Sequence, residues 1–257
     1  MSEDFVLVLG SGGSRGLAHI GVIEELEKLG ARPSVIVGCS SGAIVGALYA
    51  QTNDIGRTKE VLIDLKRDDL LDYSIRNKGG ISTRKKFRRF LGEHLSIERL
   101  DDTQTELVIV VTNFETGESK YLRDGDLKDA VLASACLPGV FAPFKMLGGQ
   151  FMDGGLSDPL PIAFAKNLNK GKVIACDISL CIEALDTKSL FHVLYKSFEI
   201  VHQNLSRKQK KDADLLLCPG FDEKGSSLSD KQNHDSYEKG RAAVLNNKEK
   251  ISKLLNL

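Results

Sequence analysis

Hydrophobic positions in the first fifty residues fall into two continuous runs, each followed by a periodic stretch. Phe5-Val-Leu-Val-Leu9 is apolar throughout, which predicts a strand buried on both faces. Leu17, Ile20, Ile23, Leu26 and Leu29 recur every three residues and predict a helix that ends at Gly30. Val35-Ile-Val37 predicts a second strand, and residues 43–48 a second helix. Strand, helix, strand makes a right-handed βαβ unit with parallel pairing. The loops after both strands then emerge at one carboxyl edge, where open α/β sheets bind ligands.

The rest of the pattern extends this plan. Residues 54–100 are mostly polar and predict a helical flank over the core, with a turn at Lys78-Gly-Gly80. Residues 107–112 predict a buried strand, and residues 119–123 its partner across the turn Glu115-Thr-Gly-Glu118. A short helix over 127–135 is stopped by Leu137-Pro138, and irregular short strands follow over 140–153. Residues 173–177 predict a strand, 187–208 a long helix, 213–218 a last strand and 237–255 a closing helix. No stretch reads as a linker, so a single α/β domain over residues 1–257 is expected.

Composition narrows the function classes. The 257 residues are 42% hydrophobic, enough for one α/β domain with a substantial core. Lys+Arg and Asp+Glu both number 35, a balance unlike that of a nucleic-acid binder. Met1-Ser-Glu-Asp-Phe5 lacks the basic region of a signal peptide, and no apolar run approaches the ~20 residues that span a bilayer. Five cysteines, at 39, 136, 176, 181 and 218, are scattered without metal-ligand spacing. They are expected to be buried thiols in a reducing cytoplasm, with no metal and no cofactor.

Candidate chemistry gathers at the predicted carboxyl edge. Gly38-Cys39-Ser40-Ser41-Gly42 is Gly-x-Ser-x-Gly between a strand and a helix, the context of a nucleophile elbow. Side chains at Gly38 or Gly42 would collide with neighbouring backbone, and Ser40 would stand above a helix N-terminus in strained φ/ψ. The bland alternative is a small-residue turn that packs a helix onto a sheet. Gly10-Ser-Gly-Gly-Ser-Arg-Gly16 follows the first strand, and Gly12 and Gly13 would let amides approach a developing oxyanion. Dinucleotide binding competes for this loop, but Arg15 stands where the last glycine of that fingerprint belongs, and no acidic residue ends the next strand. Phe151-Met-Asp153-Gly154-Gly155 ends a short strand with a carboxylate that could serve Ser40 as general base. Asp158, before Pro159-Leu-Pro161, reads as a helix cap or turn residue. A Ser-Asp-His triad using Asp177 with His192, His202 or His234 has the right chain order, yet the elbow comes too early in the chain for that plan. His202 lies within a predicted helix as a surface or packing residue, and His19 reads as structural.

Four stretches together carry a resemblance. They are Leu9-Gly-Ser-Gly-Gly-Ser-Arg-Gly-Leu-Ala-His-Ile-Gly-Val22, Gly38-Cys-Ser-Ser-Gly-Ala43, Ala133-Ser-Ala-Cys-Leu-Pro-Gly-Val-Phe-Ala-Pro143 and Met152-Asp-Gly-Gly-Leu-Ser-Asp-Pro-Leu-Pro161. In order and spacing they resemble the bacterial branch of the patatin-like phospholipase family, over residues about 5–180. The resemblance implies a three-layer α/β/α fold with a mainly parallel central sheet, and a Ser-Asp dyad acting on lipid acyl esters without a metal. Carried over, Ser40 is the nucleophile and Asp153 its base. Gly12 and Gly13 match the oxyanion glycines, Arg15 braces that loop with Gly10 and Gly16, and Gly154 and Gly155 complete the acid loop. The chain departs from the family at Ser11, where another glycine is common, and at Cys39-Ser40-Ser41, where Thr-Ser-Ala is common. A regulatory adaptor that keeps the fold and acts by binding a partner is the alternative of a different class. The expected partner is a lipid or acyl-ester substrate, with peripheral contact at the inner membrane face. Thr83-Arg-Lys-Lys-Phe-Arg-Arg-Phe-Leu91 suggests such contact, but Phe87, Phe90 and Leu91 fit one helical face turned to the core, the favoured reading.

Overall fold

The computed structural model describes residues 3–74, 79–179, 190–221 and 230–257. In chain order the elements are β1 (Phe5–Leu9), α1 (Leu17–Lys28), β2 (Val35–Cys39), α2 (Ser41–Ala50), α3 (Ile55–Leu62), α4 (Arg67–Leu70) and α5 (Lys85–His94). They continue with β3 (Glu106–Asn113), β4 (Ser119–Leu122), α6 (Leu127–Ser134), β5 (Phe144–Met146), β6 (Gly149–Asp153), α7 (Ile162–Asn167) and β7 (Lys172–Cys176). The last are α8 (Leu190–Gln209), β8 (Leu215–Leu217), α9 (Asp230–Leu245) and α10 (Lys248–Leu255).

Continuous apolar runs make strands covered on both faces, and the two faces separate by alternation. Leu7, Leu9, Ile36, Leu107, Ile109 and Ile174 face a large core shared with helices α1, α2, α5, α6, α9 and α10. Val6, Val8, Val35, Val37, Val108 and Val173 face a smaller one, closed by Ile162 and Ala165 of α7. Each fully buried aliphatic side chain contributes about 1.5–3 kcal/mol. The result is helix, sheet, helix, with one thick and one thin helical layer. The sheet runs β5-β6-β3-β2-β1-β7-β8, with β4 also on β3. It is mixed: the pairings from β3 through β2, β1 and β7 to β8 are parallel, while β4, β5 and β6 pair antiparallel at one end.

One detail of register positions the site. β4 covers β3 from Ile109 to Thr112, so β2 and β6 must share the other edge of β3. They do so end to end: Cys39 pairs with Val110, and Asp153 with the next residue, Val111. The strand that carries the elbow stops where the strand that carries the aspartate arrives.

Several boundaries differ from expectation. The closing helix is two helices, broken at Asn246-Asn247. Val244, Ile251 and Leu255 are all buried and stay in helical phase across the break, which hides it from periodicity. α9 also begins earlier than its apolar pattern, because buried polar Asn233 donates to the carbonyls of Ile63 and Leu65. The flank after α2 is three helices plus an extended pair, Tyr73 bridging Ser82. Of its expected turn, Gly79 lies in a turn and Lys78 is outside the described residues. The long helix is described from Leu190, and the last strand shortens to Leu215–Leu217. Cys39, Cys136 and Cys176 are buried, but Cys218 is exposed, and Cys181 lies outside the described residues. Among the described residues, no helix is long and apolar enough to cross a membrane.

Candidate active site

Ser40 leaves β2 at φ 54°, ψ −116°, a strained conformation for a residue with a side chain. Its surroundings over-determine it. Its N–H donates to Ser134 Oγ (2.9 Å), which donates in turn to Val110 O, while its carbonyl accepts the amides of Ala43 and Ile44. The turn is tight enough that a Cβ on Gly42 would lie 2.1 Å from Leu9 O, and one on Gly38 2.7 Å from Gly42 O. Ser40 Oγ therefore stands at the head of α2 and donates to Asp153 Oδ2 at 2.7 Å.

Asp153 is held from three sides. Gly155 N–H donates to Oδ1 (2.8 Å), Asp153 N–H donates to Cys136 O, and Thr112 Oγ1 donates to Asp153 O. Burial pushes its carboxyl up to about 7; the Ser40 hydroxyl and the Gly155 amide pull the other way and lose. Both glycines of the acid loop are crowded. A Cβ on Gly154 would lie 2.4 Å from Val110 O, and one on Gly155 2.2 Å from His202 Nε2.

The loop after β1 is anchored at its ends and open in the middle. Gly10 N–H donates to Cys176 O and Ser11 N–H to Pro159 O, which takes Ser11 in as a buried residue. The Gly10 carbonyl meets His19 Nε2 at 2.8 Å, and burial lowers the His19 imidazole to about 4. Gly16 packs on the residue after the nucleophile: a Cβ there would lie 2.5 Å from Ser41 Cβ. Gly13 sits at φ 59°, and neither the Gly12 nor the Gly13 amide has a partner among the described residues.

Arg15 runs inward beneath this loop and is fully buried. Its Nε donates to Ile178 O (2.7 Å), one terminal nitrogen to Tyr195 Oη (3.2 Å) and the other to Glu199 Oε1 (2.7 Å). Two residues of α8 thus clamp the glycine loop. One turn further along, His202 is also buried, held near 4 by burial, with no hydrogen-bond partner for either ring nitrogen among the described residues. It is a packing residue against Gly155, not a surface one. The hydrogen bond from Ser40 goes to the carboxylate, not to an imidazole. His234 is exposed, the His192 side chain lies outside the described residues, and Asp177 pairs with Lys210. Asp158 is no helix cap: it accepts from Tyr121 Oη and Gln209 Nε2, tying β4 to α8. Phe87, Phe90 and Leu91 are in the core, as the favoured reading had it.

Helix α8 also borders a cavity of about 280 Å³, lined by Leu137, Pro138, Leu156, Leu194, Phe198 and Val201. It borders the acid loop: Leu137 follows the residue that accepts the Asp153 amide, and Leu156 lies two residues after Gly154. Ser134, Tyr195 and Glu199 were not singled out for the site by sequence reasoning, although Ser134 lies inside a quoted motif, and His202 was weighed only as a member of a triad. Among the described residues, no cluster of His, Cys, Asp and Glu has the arrangement of a metal site.

Similarity to known proteins agrees with this architecture. A family model described as patatin-like phospholipase matches residues 7–166. An uncharacterised NTE-family protein of Mycobacterium bovis is 36% identical over 180 residues, 69% of this chain and 50% of that one. A lysophospholipase of Emericella nidulans is 32% identical over 181 residues, covering 67% of this chain and 12% of the fungal protein. The chain thus spans half or less of the length of these relatives. Among solved structures, VipD from Legionella pneumophila superposes on 98% of this chain and 67% of its own, with TM-score 0.69 at 14% identity, a likeness of fold alone. By the matched model and these relatives, the chain belongs to the patatin-like phospholipase family.

Proposed function

We propose that the protein is a lipid acyl hydrolase in which Ser40 is the nucleophile and Asp153 the sole general base. The hydrogen bond from Ser40 Oγ to Asp153 Oδ2, 2.7 Å at a strained elbow, carries this reading. Oγ attacks the ester carbonyl carbon as Asp153 takes its proton. The carbonyl oxygen gains the negative charge, which the Gly12 and Gly13 amides would stabilise at the head of the following helix. The carbon–oxygen bond to the alcohol then breaks, and Asp153 returns the proton to the departing alkoxide. Water attacks the acyl-Ser40 ester, Asp153 accepts the proton from water, and collapse of the second tetrahedral intermediate releases the fatty acid and restores the Ser40 hydroxyl.

A carboxyl near 7 supports the role, since a general base works best when its pKa lies near the working pH. The apolar cavity bordering the acid loop supports an acyl chain as the group bound. The relatives named for lysophospholipid hydrolysis support the same substrate class.

The test is hydrolysis of a p-nitrophenyl acyl ester, then of lysophospholipid, by the wild type, Ser40→Ala and Asp153→Asn. Loss of turnover by about a thousandfold or more in both variants, with folding unchanged, is the expected result. Turnover that survives Asp153→Asn and disappears in a His202 variant would replace the dyad with a triad. A wild type that a fluorophosphonate leaves unlabelled and that hydrolyses neither ester would favour the adaptor.

A further inference from the structure

α8 is amphipathic the wrong way round. Its inward face carries Glu199, His202 and Ser206, all buried, while aliphatic side chains point outward. Val193, Leu194, Ile200 and Val201 are 44%, 52%, 40% and 40% exposed. With Ser197 and Asn204 they recur at three, four and seven residues, so they form one stripe. The same spacing continues into exposed Arg207 and Lys208, and Lys211 follows in the next turn. None of these three cations has a hydrogen-bonding or ionic partner among the described residues. The inward polar residues are accounted for by the Arg15 clamp and the acid loop. Nothing among the described residues accounts for four exposed aliphatics on one stripe.

The stripe is continuous with the cavity that borders the acid loop. Leu194 and Val201 belong to both. Across the opening, Leu194 approaches Gly139, whose carbonyl accepts the Ile81 amide, and Ile81 and neighbouring Tyr73 are themselves exposed. Apolar side chains thus rim the cavity on two sides, and unpaired cations extend one side away from it. The cationic half calls for fixed anions in the same plane beside an apolar layer, which phospholipid headgroups over their acyl chains present.

We propose that the outer face of α8, with Ile81 and Tyr73 opposite, seats the protein on an anionic phospholipid surface. Val193, Leu194, Ile200 and Val201 enter the acyl boundary, and Arg207, Lys208 and Lys211 lie on headgroup phosphates. The cavity mouth then opens into the lipid. The choice of occupant rests on the hydrolase reading; the surface itself does not. The basic stretch at 83–91 is not this surface, because its aromatics are in the core and Arg88 and Arg89 pair with Asp129 and Glu93.

The test uses the full chain carrying Ser40→Ala, so that vesicles are not consumed. Co-sedimentation is measured with vesicles of phosphatidylcholine alone and of phosphatidylcholine with phosphatidylglycerol. Binding is expected on the mixed vesicles and to weaken as salt rises. Each of Arg207→Gln, Lys208→Gln and Lys211→Gln is expected to lower it about fivefold. The pair Val193→Gln/Ile200→Gln is expected to lower it about tenfold on either vesicle. Lys85→Gln/Arg89→Gln, exposed cations off the stripe, is expected to leave it unchanged. Far-ultraviolet circular dichroism checks that each variant is folded. No binding to mixed vesicles, or full binding by folded Val193→Gln/Ile200→Gln, overturns the proposal. A lipid-free dimer that dissociates in the same variant overturns it in favour of a second copy of the chain. Ester turnover by the wild type is read separately, so an inactive chain that still binds vesicles removes the hydrolase reading and leaves the surface.

Discussion

Asp153 is the residue whose environment most constrains the chemistry. Desolvation lifts its carboxyl to about 7, so the unprotonated form that can accept a proton from Ser40 fills only as pH rises through that value. Turnover of a soluble ester is therefore expected to climb between about pH 6 and 8, and a profile already flat from pH 5 would show a base of ordinary acidity. Stability runs the other way. A carboxyl raised above its unfolded value of 3.8 favours the folded state fully below that value and loses this contribution as pH climbs through 7. Asp153→Asn removes the penalty, so it is expected to be more stable than the wild type at pH 8, by at most about 4 kcal/mol of unfolding free energy, with melting temperatures that draw together as pH falls and meet only below 3.8. Activity and stability at this one side chain pull in opposite directions.

At the scale of elements, the instructive contact is between the loop after β1 and α8. Arg15 and Glu199 are 184 residues apart, and both are buried. Glu199→Gln leaves a buried guanidinium without its counter-charge and is expected to cost about 3–5 kcal/mol. It is expected to lower kcat more than KM, since the amides of Gly12 and Gly13 lose their anchor. The double variant Arg15→Leu/Glu199→Leu is expected to recover most of the stability and little of the turnover. Equal recovery of both in a thermal melt and an ester assay would make the clamp purely structural. The contact also marks how far the sequence is legible. The elbow, the glycine loop and the acid loop announce themselves through local spacing, and Phe87, Phe90 and Leu91 show their inward face through helical periodicity. Glu199, His202 and Asn233 are polar residues turned inward, with partners more than forty residues away or, for His202, no hydrogen-bond partner among the described residues. A pattern that equates apolar with buried assigns them to the surface, and reads α8 inside out.

For the whole molecule, the alternation of two cores across one sheet decides what solvent can reach. Burial raises the Cys39 and Cys136 thiols, and both residues lie inside the layers, as does Cys176. Cys218 follows the last strand and is exposed. A maleimide is expected to label Cys218 in the native protein and to reach Cys39, Cys136 and Cys176 only on unfolding, as peptide mapping of the labelled chain would read out. Rapid native labelling at Cys39 would mean that the elbow opens to solvent. The order of the strands is legible from apolar runs because a parallel sheet covered on both faces needs them. The antiparallel end is less so, since β5 and β6 are short and partly exposed, and their register comes from β3 rather than from their own pattern.

That register has a consequence for how such a protein can change. Ser40 and Asp153 are separated by 113 residues of chain, yet consecutive residues of β3, Val110 and Val111, hold their strands. The spacing of the pair is therefore measured by one peptide unit of β3, and by Ser134 and Cys136, which hold the Ser40 and Asp153 amides. Insertions can lengthen the segments between α2 and β3, or between β4 and α6, without moving one residue relative to the other. A single residue inserted between Val108 and Val111 would part them by a full strand step. Length can be added in the surface connections, but not along that one short rung of sheet, without dismantling the pair.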